Sequence, residues 1–343
     1  MARTRQWATR LTFAVATAWL IATNASRADP VADFYRGRTI NLYISINVGG
    51  SYDIQARIIA RHIARHIPGN PTIVPQNMVG AGGLTMANFL ATSAPRDGTA
   101  LGMMANTLVP FQAVQAPGVR FDAGKMQWVG TIDRPPNILV ARAGSGLEAA
   151  ADIRRIETTI AASARGAITY TIPSMLNEYA GAKFRIVTGY QGSANMNLAL
   201  ERGEVDAVVN SWPALKTTKA EWFSNNAAKV LAHTGTRHPD IAHLPTVQSL
   251  ALRDEDRQVM DLVFAGDQFG HPLAFPEGVP AERVGALREA FQTILRDPAF
   301  RDEVVRAGYD VDPLRGEELQ AMVARVLSAP APVAARAKPI IAP

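Results

Sequence analysis

The 343-residue chain contains no cysteine, and this absence narrows the chemistry that it can perform. Without thiols there is no disulfide framework, no cysteine nucleophile and no thiolate metal site. The length suffices for one large or two medium domains, which can fold on a hydrophobic core without disulfides. With 48% hydrophobic and 19% charged residues, the composition is that of an ordinary globular protein.

Long hydrophobic runs are also missing. The apolar run from Leu11 to Thr23 is too short for a membrane-spanning helix, which needs about 20 residues. It follows three arginines, and Ser26-Arg27-Ala28 places small residues before a cleavage point ahead of Asp29. This pattern predicts a cleavable secretory signal peptide over residues 1–28, with an uncleaved anchor as the alternative.

A strong positive charge is confined to this amino-terminal segment. The formal net charge of the whole chain is +5, and residues 1–28 contain four arginines and no acidic residue, which leaves +1 for the remainder. A nearly neutral protein lacks the basic surface that gathers nucleic acid. We therefore expect no nucleic-acid partner.

The stretch from Thr39 to Ile67 organises the rest of the chain. Its first eight residues alternate between apolar and polar positions, which predicts a strand. Its last part has isoleucines at i, i+4 and i+8, which predicts a helix. Between them lies a loop with two glycines. A helix that follows such a loop begins with unpaired backbone N–H groups, and these attract anions together with the helix dipole. We therefore predict that a small carboxylate binds here.

The following segments repeat the order strand, loop, helix. A second glycine loop, Asn77 to Gly83, precedes a predicted helix over about Leu84 to Thr92, and this alternation favours an α/β fold with a parallel sheet. An Arg-Pro-Pro break at 134–136 marks a predicted hinge. Beyond it we predict helices over 147–155, 174–180 and 194–202. Strands are predicted over 167–171, 184–187 and 207–210, with a loop over 188–193.

The carboxyl-terminal part is predicted to contain three helices followed by a tail. The helices are expected over about Ala281 to Leu295, Pro298 to Ala307 and Gly316 to Leu327. The first has apolar residues on one stripe, which indicates core packing. The tail, 328–343, is rich in alanine and proline and is predicted to be disordered.

Five segments together resemble the periplasmic solute-binding receptors of tripartite tricarboxylate transporters, the Bug receptors. The segments are GRTINLYISINVGGSYDIQARIIARHI, NMVGAGGLTMANFLATSAPRDGTALG, FRIVTGYQGSANMNLALERGEVDA, HPDIAHLPTVQSL and VPAERVGALREAFQTILRDPAFRDEVVRAGYD. They occur in the order typical of the family and cover nearly all of the chain after residue 28.

The resemblance implies a two-domain clamshell of the type II periplasmic-binding-protein class, each domain being a mostly parallel sheet flanked by helices. Domain 1 is expected to comprise 29–135 plus 263–327, and domain 2 to comprise 136–262. The family implies a monomeric periplasmic receptor of a Gram-negative bacterium. It captures a small mono- or dicarboxylate without catalysis or cofactor and delivers it to the membrane permease subunits of the transporter.

The family also implies which loops hold the ligand. Carboxylate oxygens are expected to contact mainly backbone N–H groups and waters of the glycine loops. Carried over by position, the contacts in domain 1 are Asn47, Val48, Gly49, Gly50, Ser51, Tyr52, Asp53, Gly80, Ala81, Gly82 and Gly83. Those in domain 2 are Tyr170, Thr171, Ser174, Tyr190, Gln191, Gly192 and Ser193. No metal site is expected.

The sequence departs from the family pattern at two points. Val48 stands where the family usually has proline before two glycines. The second-domain loop is bulkier than the family's glycine- and serine-rich version, because it reads Thr169-Tyr170-Thr171-Ile172-Pro173-Ser174. Both departures affect the shape of the pocket and therefore the choice of ligand.

Simpler interpretations exist for several of these residues. The glycine loops can be structural turns, and no lysine follows the glycines as a phosphate-binding loop requires. Asp53 fits a helix start, where it favours the dipole and orients the loop. Tyr190 can be a packed tyrosine, and Ser193 can be a simple N-cap. His62 and His66 have a metal-like spacing, although solvent-facing histidines are the favoured interpretation.

Two other functions remain open at this point. One is a ligand-sensing subunit that docks onto a membrane histidine kinase. The other is an exported hydrolase that uses His233, His238 or His243, although the chain has no G-x-S-x-G motif for a nucleophilic serine.

Overall fold

Two mixed β-sheets, each flanked by helices, organise the chain, and the buried hydrophobic side chains form four clusters against them. The computed structural model describes residues 29–165, 167–235 and 238–341. The predicted signal peptide therefore lies outside the described residues. The two-domain α/β architecture expected from the sequence is confirmed, but the sheets are mixed rather than mostly parallel.

The first sheet has six strands in the order β2-β1-β3-β10-β4-β11. They are β1 (Thr39–Ile44), β2 (Thr72–Asn77), β3 (Ala100–Met103), β4 (Gln127–Thr131), β10 (Leu273–Phe275) and β11 (Leu314–Arg315). Strands β2, β1 and β3 are parallel, whereas β10 pairs antiparallel with both of its neighbours and β11 pairs antiparallel with β4.

The second sheet has five strands in the order β7-β6-β8-β5-β9. They are β5 (Asn137–Arg142), β6 (Thr158–Ala161), β7 (Phe184–Val187), β8 (Ala207–Ser211) and β9 (Ala228–His233). Strands β6, β7 and β8 are parallel, and β5 is antiparallel to β8 and β9. In each sheet, the first strand after the chain has crossed from the other sheet is thus antiparallel to both of its neighbours.

Thirteen α-helices are assigned within the described residues. They are α1 (Pro30–Tyr35), α2 (Ser51–Ile63), α3 (Leu84–Thr92), α4 (Leu108–Ala113), α5 (Ile168–Ala180), α6 (Ser193–Glu201), α7 (Trp212–Thr218), α8 (Ala220–Ser224), α9 (Asp254–Val263), α10 (Ala281–Ile294), α11 (Pro298–Arg306), α12 (Gly316–Leu327) and α13 (Ala331–Ile341). None of the helices in the described ranges has the length and hydrophobicity needed to cross a membrane.

The strand and helix predicted around the first glycine loop are confirmed. Ile40, Leu42 and Ile44 of β1 are fully buried, as the alternating pattern predicts. Ile59 and Ile63 of α2 pack into the same core cluster. The three predicted carboxyl-terminal helices correspond to α10, α11 and α12, with ends that differ by at most one residue.

The strand predicted over 167–171 is wrong, because these residues form the start of α5. Their β-branched side chains favour a strand locally. However, Ile172, Leu176 and Tyr179 have helical spacing and are buried against the second sheet, and this packing decides the conformation. The strand in this part of the sheet is β6 instead.

The prediction of a disordered tail over 328–343 is also wrong for most of that segment, because residues 331–341 form α13. Alanine favours helices, and Pro332 lies in the first turn, where its missing N–H costs no hydrogen bond. Val333 and Ala337 are buried in the core cluster of the second sheet. An ion pair between Arg336 and Asp256 adds a contact with α9.

Candidate functional site

Helix α2 begins at Ser51, at the carboxyl end of β1, and presents unpaired backbone donors. The N–H groups of Ser51, Tyr52 and Asp53 have no acceptor among the described residues. Gly49 has φ +82°, and a Cβ atom there would meet no other atom within 4 Å. The loop therefore borders open space with three donors at a helix start, which is the arrangement that binds anions.

The Asp53 carboxylate is hydrogen-bonded within and beside this loop. It is buried and accepts the N–H of Gly49 at 3.0 Å and hydrogen bonds from Arg57 and Asn77. Burial opposes ionisation, but these hydrogen bonds outweigh it and hold the pKa of Asp53 below its ordinary value. The interpretation of Asp53 as the acid that orients the loop agrees with these contacts.

The other residues predicted for the domain 1 site fall into two groups, exposed residues before Gly49 and closely packed glycines in the second glycine loop. Val48 is 73% exposed, and Asn47 is also exposed. In the second glycine loop, a Cβ atom on Gly80 or Gly83 would lie within 3 Å of another side chain. The N–H of Gly83 donates to the carbonyl of Gly80, so one backbone donor of this loop is already paired within the loop.

The loop from Thr188 to Ser193 lies beside the segment after β6, because Gly189 N–H and Tyr190 N–H donate to Ser163 and Ala162 carbonyls. Gly192 has φ +128° and borders open space, as does Gly189. The N-cap of α6 is Gly192 rather than Ser193, which is the first helical residue. Tyr190 is partly buried and packs against the core of the second sheet, whereas Gln191 is exposed.

Tyr170, Thr171 and Ser174 lie on the first two turns of α5 rather than in a loop. The Thr171 hydroxyl donates to the carbonyl of Ala167 at 3.1 Å, so it stabilises the helix start. Tyr170 stacks under the Arg165 guanidinium, 5.7 Å from the ring centroid. This part of the second domain therefore presents an aromatic face and a cation.

A cavity of about 270 Å³ lies where the two sheets meet. Asn106 of the first domain, Thr171 of the second and Asp267 of the second crossover line it. Asp267 accepts hydrogen bonds from Asn137 at 3.1 Å and from Thr234. Burial raises the pKa of Asp267, although the two hydrogen bonds act against this. Of the predicted site residues, Thr171 reaches this cavity.

Tyr52 connects the start of α2 to this junction. Its hydroxyl accepts the N–H of Asn106 at 3.0 Å and donates to the carbonyl of Gly270 at 3.3 Å. Burial raises the pKa of the Tyr52 phenol, so the side chain is neutral at physiological pH. The start of α2 is thus joined directly to both the cavity and the second crossover.

Sequence analysis missed two residues at the same junction, Asp133 and His271. His271 Nε2 lies 2.9 Å from Ser51 Oγ, and His271 Nδ1 lies 2.6 Å from Asp133 Oδ1. Asp133 also accepts a 2.7 Å hydrogen bond from Gln55. A single histidine carries no spacing signal, and 138 residues separate it from Asp133, so only the fold brings the two together.

His62 does not face solvent as predicted. It is 8% exposed, and its Nε2 lies 2.6 Å from Glu303 of α11. This pairing links α2 to α11. Within the described ranges, no group of three or more metal-ligating side chains has the geometry to hold an ion.

The fold, with two α/β domains, is that of the two-domain solute-binding proteins. More particularly, the chain belongs to the tripartite tricarboxylate transporter receptor family, whose model matches residues 55–341. The UPF0065 protein in the gbd 5' region of Cupriavidus necator is 28% identical over 326 residues, which cover 90% of this chain and 89% of that protein.

Solved structures have the same fold. A TctC solute-binding protein from Polaromonas superimposes with a TM-score of 0.67 at 19% identity, covering 86% of this chain and 96% of that one. The R. palustris protein Rpa4515, solved with adipate, gives 0.59 at 22% identity, with 88% and 97% covered. At these identities the similarity establishes the architecture, and ligand choice requires a separate argument.

Proposed function

We propose that this protein is a periplasmic receptor that captures a small organic mono- or dicarboxylate between its domains and passes it to a tripartite tricarboxylate-type permease. The observation that carries the proposal is the start of α2, where three neighbouring N–H groups lack acceptors among the described residues. Family membership supports transport as the context. The adipate in Rpa4515 supports a carboxylate as the ligand class.

The proposed binding mode uses backbone donors on both domains. One carboxylate of the ligand accepts hydrogen bonds from Ser51, Tyr52 and Asp53 at the start of α2. The start of α6 supplies a second set of donors, since Ser193 follows Gly192 at a helix start that also borders open space. A dicarboxylate that spans both helix starts stabilises the closed arrangement of the domains, because each domain binds one end.

The test compares Gly49→Ala, in the proposed binding loop, with Gly37→Ala, outside it. The two substitutions introduce similar backbone strain. Gly49 and Gly37 both have positive φ, both are exposed, and a Cβ atom added at either one would meet no atom within 4 Å. Alanine at either position costs about 1–2 kcal/mol of backbone strain. Gly49→Ala displaces the anion loop, so we expect adipate or malate affinity to fall about tenfold or more.

Titration calorimetry measures the affinities, and thermal unfolding checks that both variants lose similar stability. Gly37→Ala should bind the dicarboxylate as the parent protein does. Equal affinity in Gly49→Ala and the parent would exclude the loop as the binding site. Failure of every mono- and dicarboxylate to bind the parent protein, with binding of a sugar or an amine, would refute the proposed ligand class.

A further inference from the structure

The side chain of Ser51 lies at the proposed carboxylate site and is tied to a buried acid–base pair. Its hydroxyl contacts His271 Nε2 at 2.9 Å, and His271 Nδ1 contacts Asp133 at 2.6 Å. His271 is 5% exposed and Asp133 is 2% exposed. The three residues come from α2, from the first crossover and from the second crossover, so they join the ligand loop to both connections between the domains.

Hydrogen-bond polarity along this chain is fixed by Asp133. An ionised Asp133 only accepts, so His271 Nδ1 carries a proton. If His271 is neutral, its Nε2 accepts the Ser51 hydroxyl proton, and Ser51 has only lone pairs to offer a ligand. If His271 is an imidazolium, Nε2–H donates to Ser51 Oγ, and the hydroxyl proton becomes available to a carboxylate oxygen.

The net charge of the His271–Asp133 pair also favours a protonated His271 when a carboxylate is bound. With His271 neutral, the pair carries the negative charge of Asp133, and a second anion at the start of α2 is repelled. With His271 protonated, the pair is neutral overall and no repulsion remains. Hydrogen-bond polarity and electrostatics therefore both favour a protonated His271 when a carboxylate is bound.

The other groups that face His271 do not replace it as the proton acceptor. The Tyr52 ring lies edge-on at 4.3 Å between ring centroids, and the Tyr309 ring lies at 6.5 Å. Burial raises the pKa of both phenols, so neither loses a proton near neutral pH. The neighbouring Arg134 forms an ion pair with Asp312 at 2.7 Å.

We infer that His271 and Ser51 couple carboxylate capture to the uptake of one proton, with His271 setting which hydrogen bond Ser51 offers. This inference rests on the proposed function. Linkage requires that a ligand favouring protonated His271 makes this proton harder to remove in the complex than in the free protein. At a pH low enough for the free protein to keep the proton, the dissociation constant does not change with pH. Above that range, and until the complex also loses the proton, it rises about tenfold per pH unit.

The experiment is calorimetric titration of adipate between about pH 5 and pH 9 in two buffers with different ionisation enthalpies, which measures the protons taken up. The parent protein should take up close to one proton at the pH where its affinity falls. His271→Gln, which lacks the imidazole, should take up none. Ser51→Ala, which lacks the hydroxyl, should take up less than the parent, because only the electrostatic part of the coupling remains. Ser51→Ala should also bind about ten- to a hundredfold more weakly at low pH.

His62→Gln is the matched control, because His62 is a second buried histidine paired with a carboxylate. It should keep the proton uptake of the parent. Tight adipate binding without proton uptake in the parent would overturn this inference and leave the proposed function intact. Absence of carboxylate binding at every pH would refute both.

Ser51, His271 and Asp133 are hydrogen-bonded in the same Ser-His-Asp order as the catalytic triad of serine hydrolases. Release of nitrophenolate from p-nitrophenyl acetate that is lost in Ser51→Ala would make Ser51 a nucleophile, and it would overturn the binding role given to it here. We expect no such release, and circular dichroism of each variant confirms that loss of a signal is not loss of the fold.

Discussion

Asp53 shows how one buried side chain fixes the first glycine loop, residues 47–50, which we propose as the anion site. Its carboxylate accepts the Gly49 N–H, whereas the N–H groups of Ser51 and Tyr52 have no acceptor among the described residues. Asp53→Asn keeps the shape and removes the charge that Arg57 and Asn77 stabilise. We expect this variant to lose about 1–3 kcal/mol of unfolding free energy at neutral pH, as measured by urea denaturation.

The contribution of Asp53 to the free energy of unfolding depends on pH. The pKa of Asp53 is lowered in the folded protein, so its contribution is present above the pKa of the unfolded chain and is lost as pH falls through the folded pKa. Parent and Asp53→Asn should therefore converge in stability on acidification. Asp33→Asn is the control, since Asp33 pairs with Arg36 at the surface and contributes little. A difference that stays constant with pH would contradict the charge argument.

Single residues are predictable from sequence when their partners are local. Asp53 at a helix start follows from its position relative to two glycines, and Gly49 lies only four residues away. Asp133 and His271 give no such signal, because their pairing depends on two crossovers that run side by side in the fold. The residues that most specify the proposed chemistry are therefore the least visible in the sequence.

At the scale of elements, α13 tests whether the carboxyl-terminal segment contributes to the second domain. Ala337 is fully buried, whereas Ala335 on the same helix is exposed. Ala337→Glu places a charge in the apolar contact and should lower the melting temperature by about 4 °C or more. Ala335→Glu, with the same change on the other face, should shift it by about 1 °C or less.

Differential scanning calorimetry measures both variants under one set of conditions. Equal melting temperatures would mean that α13 does not dock on the second domain in solution. Composition misleads in this segment, because alanine favours a helix whereas the prolines at Pro330, Pro332 and Pro339 are typical of a disordered tail. The segment forms a helix because an apolar surface of the second domain is available for docking, and composition alone does not reveal that surface.

Element order is more predictable than element identity in the second half of the chain. Strands β7 and β8 lie where short apolar runs predict them. The prediction of 167–171 as a strand places the sheet at the wrong segment, since β6 precedes it by several residues. Short apolar runs satisfy both periodicities, and only packing against the neighbouring sheet distinguishes them.

At the scale of the whole molecule, two crossovers connect the sheets and constrain how the domains can move. The chain passes from β4 to β5 and returns between β9 and β10. Hydrogen bonds join the second connection to the strand ends that flank the first, as between Asp267 and Asn137 of β5 and between His271 and Thr131 of β4. Two adjacent connections act as a hinge, so we expect rotation of the domains about this junction when a ligand binds both helix starts.

The absence of cysteine makes this motion directly measurable, because two introduced cysteines are the only thiols available for spin labels. Val79 in the second glycine loop and Leu198 on α6 are exposed residues of different domains. In Val79→Cys/Leu198→Cys, adipate should shorten the distance between labels measured by pulsed electron paramagnetic resonance. In Val79→Cys/Val305→Cys, both within the first domain, it should not change. Saturating adipate with no shift in the first pair would show that the domains do not close on the ligand.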